Sequence, residues 1–125
     1  MIASYVGDGL TVLLAAGIIF VGLRYLTAPA ASATTFGLPE WPAGAALAWL
    51  NVKGVRDIAS GLIPLALLAT GQATALGCFL LVATVIPIGD ALTILRYRGS
   101  KALAYGMHGG TAAGMVLAGL LLLVP

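Results

Sequence analysis

Five ionisable side chains stand in otherwise apolar sequence. Lys53, Arg56 and Asp57 share the run Asn51-Val-Lys53-Gly-Val-Arg56-Asp57-Ile-Ala-Ser60-Gly61, and Asp90 and His108 follow in two later apolar stretches. Two carboxylates, two cations and an imidazole can do acid–base chemistry: a neutral carboxyl donates a proton, an ionised one beside a cation accepts one, and imidazole relays between them. Asp57, Asp90, His108 and Arg56 are therefore the catalytic candidates. Lys53, Asn51, Ser60, Tyr105 and Trp49 are the candidate ligand contacts. On a membrane-soluble substrate such groups suit isomerisation, ring closure or epoxide opening, the work of an isomerase, cyclase or hydrolase. The residue set calls for no metal and no cofactor. The single Cys78 excludes a disulfide framework and a cysteine metal or redox pair, and reads as a packed apolar side chain.

The elements that must position these groups are membrane helices. Of 125 residues, 61% are apolar and 8% charged, with a mean hydropathy of +1.09, whereas a soluble domain carries roughly a quarter charged residues. Four stretches approach the roughly 20 residues that cross the hydrocarbon. The spacing predicts helices over about 7–26, 45–69, 73–95 and 101–124, forming one domain over 1–125. The fold expected is an all-α membrane protein, an antiparallel four-transmembrane-helix bundle in contact with the lipid bilayer. The first stretch has no basic residue before its apolar run, so it reads as a retained helix rather than a secretory signal, with Asp8 as its capping acid. Between the first two helices, Phe36-Gly-Leu-Pro39-Glu40-Trp41-Pro42 is a loop, and Glu40, Trp41 and Trp49 suit the membrane interface.

The connections between helices 1 and 2 and between helices 3 and 4 fall on one side. That side holds Arg24, Arg96, Arg98 and Lys101, and the other side holds no Lys or Arg. The positive-inside rule makes it cytoplasmic and puts both termini outside, consistent with a bacterial inner membrane. A net charge of +2, from six scattered basic and four acidic residues, excludes a nucleic-acid surface.

Within helix 2, Lys53 and Asp57 are four apart and share a face, with Ser60 and Pro64 near the same line. Arg56 lies about 100° around from Asp57 and is expected to reach a neighbouring helix. A charge inside a span costs about 2.5–3.5 kcal/mol on insertion scales, so each needs a partner. Asp90 and His108 enter from the same side at similar depth. The expected pairs are Arg56 with Asp90 or Asp57, and His108 with a carboxylate or Tyr105. Pro87, three residues before Asp90, frees a carbonyl and bends its helix around a cavity. In helix 4, Gly106, Gly110 and Gly114 form a stripe of close approach, either to another helix of the chain or to a second copy in a homodimer.

The four spans, the Phe36–Pro39 loop and the K-G-x-R-D-x-x-x-G pattern at Lys53 to Gly61 resemble the small DoxX-like membrane proteins and related uncharacterised four-helix families of bacteria and fungi. That resemblance covers nearly the whole chain in layout. It implies a four-helix membrane domain of mostly unassigned function, with association to quinone-linked redox complexes known for some members. No heme-binding histidine pair accompanies it here.

Three functions compete on these residues. The first is a cytoplasm-facing intramembrane pocket for a lipophilic small molecule, built on the Arg/Asp/Asp/His cluster. The second is a dimeric proton-coupled small-molecule transporter, against which stand the lack of an acid in helix 1 after Asp8 and the strong charge bias. The third is a non-catalytic accessory subunit of a membrane complex.

Overall fold

A computed structural model describes residues 1–124, in which every regular element is helical. These are α1 (Ile2–Thr27), α2 (Pro29–Ala33), a 3-10 turn at Gly44–Leu47, α3 (Ala48–Ala69), α4 (Ala73–Ala83), α5 (Val85–Arg96), a π-helical segment at Leu103–His108 and α6 (Gly109–Leu123). Three helices are long and apolar enough to cross a membrane: Ile2–Thr27, the joined α4–α5 over Ala73–Arg96, and Leu103–Leu123. The chain is an integral membrane protein. Helix α3 has 22 residues, but Lys53, Arg56 and Asp57 make it more charged than these three.

Local chemistry explains the breaks. Pro87 has no N–H for the carbonyl of Ala83, and the α4–α5 helix is interrupted one residue later at Thr84, whose hydroxyl turns back to the Leu80 carbonyl at 2.8 Å. Pro29 opens α2 at its first turn, where a missing N–H costs nothing, so part of the expected loop is helical. Helix α1 begins at Ile2 rather than near Gly7, because nothing between Ile2 and Val6 disfavours a helix. Its N-cap is Met1, and Asp8 lies well inside the helix instead of capping it. Cys78, expected to be packed, is exposed on the outside of α4.

Glycines set the helix contacts. Along α1, Gly22 meets Gly54 of α3 so closely that a Cβ on either would stand 2.6 or 2.7 Å from the other's carbonyl oxygen. Further along the same two helices, Gly61 faces the backbone of Ala15. On the other side of the molecule, Gly77 of α4 and Gly119 of α6 approach in the same reciprocal way. Backbones this close gain dispersion contacts that no larger residue would allow, the usual source of helix association in lipid. Leu76, Leu80, Ala118 and Leu122 form the apolar core beside the second contact, with Leu10 and Leu14 of α1 packed against it.

The stripe picked out in the sequence has a different place. A Cβ on Gly106 or Gly110 would meet nothing within 4 Å, and one on Gly114 would only touch Leu14 at 3.7 Å. Gly106 and Gly110 thus pack against no helix of this chain. Large apolar side chains such as Leu13, Phe20, Val82 and Leu92 point outward, where lipid would cover them.

α1 packs along both α3 and α6, and α4 packs on α6. α3 touches α4 lightly, and α3 and α5 make little direct contact. The space left between them is a cavity. Substituting Gly54→Ala is expected to push α1 from α3 and to cost about 1–3 kcal/mol, the usual penalty of overpacking. Thermal unfolding followed by circular dichroism in detergent would show it, with Gly17→Ala, which enters open space, as the unchanged control.

Candidate functional site

Lys53 and Asp57 are one helical turn apart on α3, and the ammonium donates a hydrogen bond to Asp57 Oδ2 at 2.5 Å. The spacing alone produces this pair. Around it the structure adds two aromatic rings: Lys53 Nζ stands 4.3 Å from the ring centre of Tyr25 on α1 and 5.4 Å from that of Phe36 in the loop. A cation over ring faces is attracted by their quadrupoles, more so where water is scarce. Tyr25 and Phe36 were not among the sequence candidates. Tyr25 lies in an apolar helix of no evident periodicity, and Phe36 acts from a loop whose course is set by distant residues.

His108 comes from the π-helical segment. A turn with one extra residue rotates the next part of the helix by about 100°, and such turns recur at functional sites. Here His108 is buried while Tyr105, three residues earlier, is 67% exposed. The expected His108–Tyr105 contact is therefore absent. His108 Nε2 lies 3.0 Å from the Phe36 carbonyl oxygen, which can only accept, so Nε2 carries the hydrogen. Nδ1 then faces Asp90 Oδ2 at 3.6 Å, the side on which a proton can pass between the two residues. The Phe36 ring also packs edge-on against the imidazole, centroids 4.7 Å apart.

The loop holds Phe36 in place through the next residue. Gly37 has φ +119, a conformation side-chain-bearing residues rarely adopt, and its carbonyl accepts from Ser100 N–H at 2.8 Å. Ser100 in turn caps the following helix, its Oγ accepting from Leu103 N–H. The Phe-Gly-Leu-Pro loop and the Arg98–Ser100 turn are thus tied together, and His108 packs against the Phe36 of that loop.

These groups wall one end of a partly open cavity of about 210 Å³ lined by α1, α3, α4, α5 and α6. Tyr25, Lys53, Asp57, Asp90 and His108 form the polar end. Toward the other end the wall becomes apolar, through Ile18, Ala15 and Leu14 on α1, Phe79 and Leu80 on α4, and Met115 on α6. Thr11, Ser60 and Thr111 also line it, but each hydroxyl donates to a carbonyl of its own helix, Gly7, Arg56 and Met107 respectively. Pro64, Ala83 and Pro87 line the cavity too, which places the α4–α5 interruption and the proline within α3 at its wall.

Four sequence candidates fall outside it. Arg56 is exposed and pairs with neither Asp57 nor Asp90, because its face of α3 has no neighbouring helix and Lys53 already occupies Asp57. Asn51 instead donates to the Tyr25 carbonyl at 2.9 Å, clamping α3 to the end of α1. Trp49 is 72% exposed, and Tyr105 faces outward. Of the named candidates, Lys53, Asp57, Ser60, Asp90 and His108 meet at one cavity. Among the described residues no three His, Cys, Asp or Glu side chains group as a metal site would need.

Residues 15–122 match the family model described as a domain of unknown function, DUF4267, and the chain belongs to that family. No curated protein and no solved structure matches the chain. The membership agrees with the expectation of an uncharacterised family, and the DoxX-like likeness stays a resemblance.

Lys53→Met would leave Asp57 buried without its cation. The expected loss is about 1–3 kcal/mol, below the ~3–5 kcal/mol of a fully buried pair because Lys53 keeps 30% of its side chain exposed. Lys53→Met with Asp57→Asn should recover part of that loss in thermal unfolding, since both charges are then gone. A double variant less stable than the single one would show that the pair is not what holds these side chains.

Proposed function

We propose that this family member is an intramembrane protein that binds a lipophilic small molecule and acts on it by acid–base chemistry. The observation that carries this reading is the cavity itself: apolar along its length, with one cation, two carboxylates and an imidazole at one end. Ligand sites are usually apolar clefts with a few convergent polar groups. A network serving only to fix helix register would need no open space beside it.

The division of labour follows from the pairs. Lys53 holds the Asp57 carboxylate, the place the sequence had assigned to Arg56, and Asp57 is then the proton acceptor. Asp90 and His108 face one another across 3.6 Å and together supply or return a proton. Isomerisation, cyclisation or epoxide opening of a membrane-soluble substrate fits such a set, and no residue in it provides a redox step.

In this reading residues 1–125 form one domain and α3 also crosses the bilayer, its charges facing the cavity or the headgroups. The chain is then an antiparallel bundle of four spans. The pairings of 22 with 54 and 15 with 61 support it, as do those of 77 with 119 and 90 with 108. With Arg24, Arg96, Arg98 and Lys101 at the end that carries the ionisable cluster, the polar mouth faces the cytoplasm and the termini lie outside, as in a bacterial inner membrane.

One observation favours a second reading, a homodimer or an accessory subunit of a larger membrane complex. Gly106 and Gly110 face outward with nothing against them, leaving a shallow stripe open to another helix. The transporter form of this reading has less support, since the hydroxyls deep in the cavity are turned to their own backbones.

The direct test compares wild type with Asp57→Asn and Asp90→Asn, each purified in lipid nanodiscs and extracted with organic solvent for mass spectrometry. The wild-type extract should contain a discrete lipophile that falls at least tenfold in both variants, while circular dichroism stays unchanged. Equal recovery from all three folded proteins would rule out the cluster as the binding determinant.

A further inference from the structure

A second cavity, of about 350 Å³, lies under the loop between α2 and α3. Leu38, Trp41, Pro42 and Leu50 make most of its wall apolar, and Glu40 and Thr93 also line it. Tyr25, Phe36, Lys53 and Asp90 line both this cavity and the first one. The polar groups therefore do not close the end of a blind pocket. They stand between two adjoining hollows of mostly apolar wall, one inside the bundle and one, open on its outer side, beneath the interfacial loop.

Resting on the proposed lipophile pocket, we infer that the ligand is a lipophile whose polar function lies in its interior, an ester or ketone between two apolar arms, and not a terminal headgroup on a single tail. Lys53 and Asp90 face that function, and the apolar arms occupy the two hollows.

Hydrogen-bond chemistry at Lys53 and Asp90 supports this choice. Lys53 has three N–H donors and uses one on Asp57, which leaves donors for a carbonyl oxygen. Asp90 walls the same hollows and, paired with His108, can return a proton to that carbonyl oxygen or to the carbon next to it. A carboxylic acid would instead bring a further negative charge to a site that already holds Asp57 and Asp90, a like-charge contact that costs affinity. A single-tailed amphiphile would also leave one hollow without an apolar occupant.

Hexyl hexanoate and dodecanoic acid separate these cases, because they are isomers that differ in where the polar group sits. The protein carries two tryptophans, and Trp49 is 72% exposed outside both hollows, so in Trp49→Phe the emission of Trp41 reports the hollow under the loop. A second variant, Trp41→Phe with Trp49→Phe and Phe79→Trp, reports the hollow within the bundle. Met115→Trp replaces Phe79→Trp if that protein does not fold.

In nanodiscs hexyl hexanoate should shift both reporters saturably and bind at least tenfold more tightly than dodecanoic acid. Adding Lys53→Met should lower the ester's affinity at least fivefold. An acid that binds as tightly as the ester, or an ester that moves only one reporter, overturns the two-armed ligand and leaves the lipophile pocket standing. Failure of both probes to move either reporter overturns the pocket as well.

Discussion

A charged side chain buried among packed helices must find a partner, and the architecture around the cavity can be traced to that requirement. Leaving such a group buried without its partner costs about 1–3 kcal/mol or more, a sizeable share of the roughly 5–15 kcal/mol by which proteins are stable. Lys53 meets Asp57 on its own helix and two aromatic rings across from it. Asp90 and His108 meet each other from different helices. The second pair requires more machinery than the first: a π-helical turn to rotate the imidazole inward, and a loop tied at Gly37 to bring the Phe36 carbonyl to its other nitrogen.

The scaffold and the site are built from opposite kinds of contact. Where α1 meets α3, and where α4 meets α6, glycine pairs let backbones touch and leave almost no volume. Between α3 and α5 there is little contact, and volume remains. Prolines at 64 and 87 sit on the wall of that space, each withholding a backbone hydrogen bond from the helix that also carries Asp57 or Asp90.

Hydropathy and residue spacing made much of this legible. The lipid-facing class follows from ten charged residues in 125. The shared face of Lys53 and Asp57 follows from a spacing of four, although Arg56 was the partner expected for Asp57, and the convergence of Asp90 and His108 follows from their matched depths in successive helices. The illegible part depends on the other partner of each contact. Arg56 needed a neighbour that its face does not have. Tyr105 was placed by an α-helical period that the π turn interrupts. The open stripe at Gly106 and Gly110 looks in sequence like a packing stripe, whereas the glycines that do pack, Gly22 with Gly54 and Gly77 with Gly119, occur in pairs on separate helices, and no single-helix pattern marks them.

The ionisable residues border a ligand-holding space in the proposed function, and are not merely paired with one another. A crystal structure of the wild-type protein grown from a lipidic phase tests this most directly. The expected result is continuous density between Phe79 and Trp41 passing Lys53 and Asp90, with α3 and α5 held apart. A structure in which α3 packs directly on α5, and Lys53, Asp57, Asp90 and His108 satisfy only each other, would contradict it.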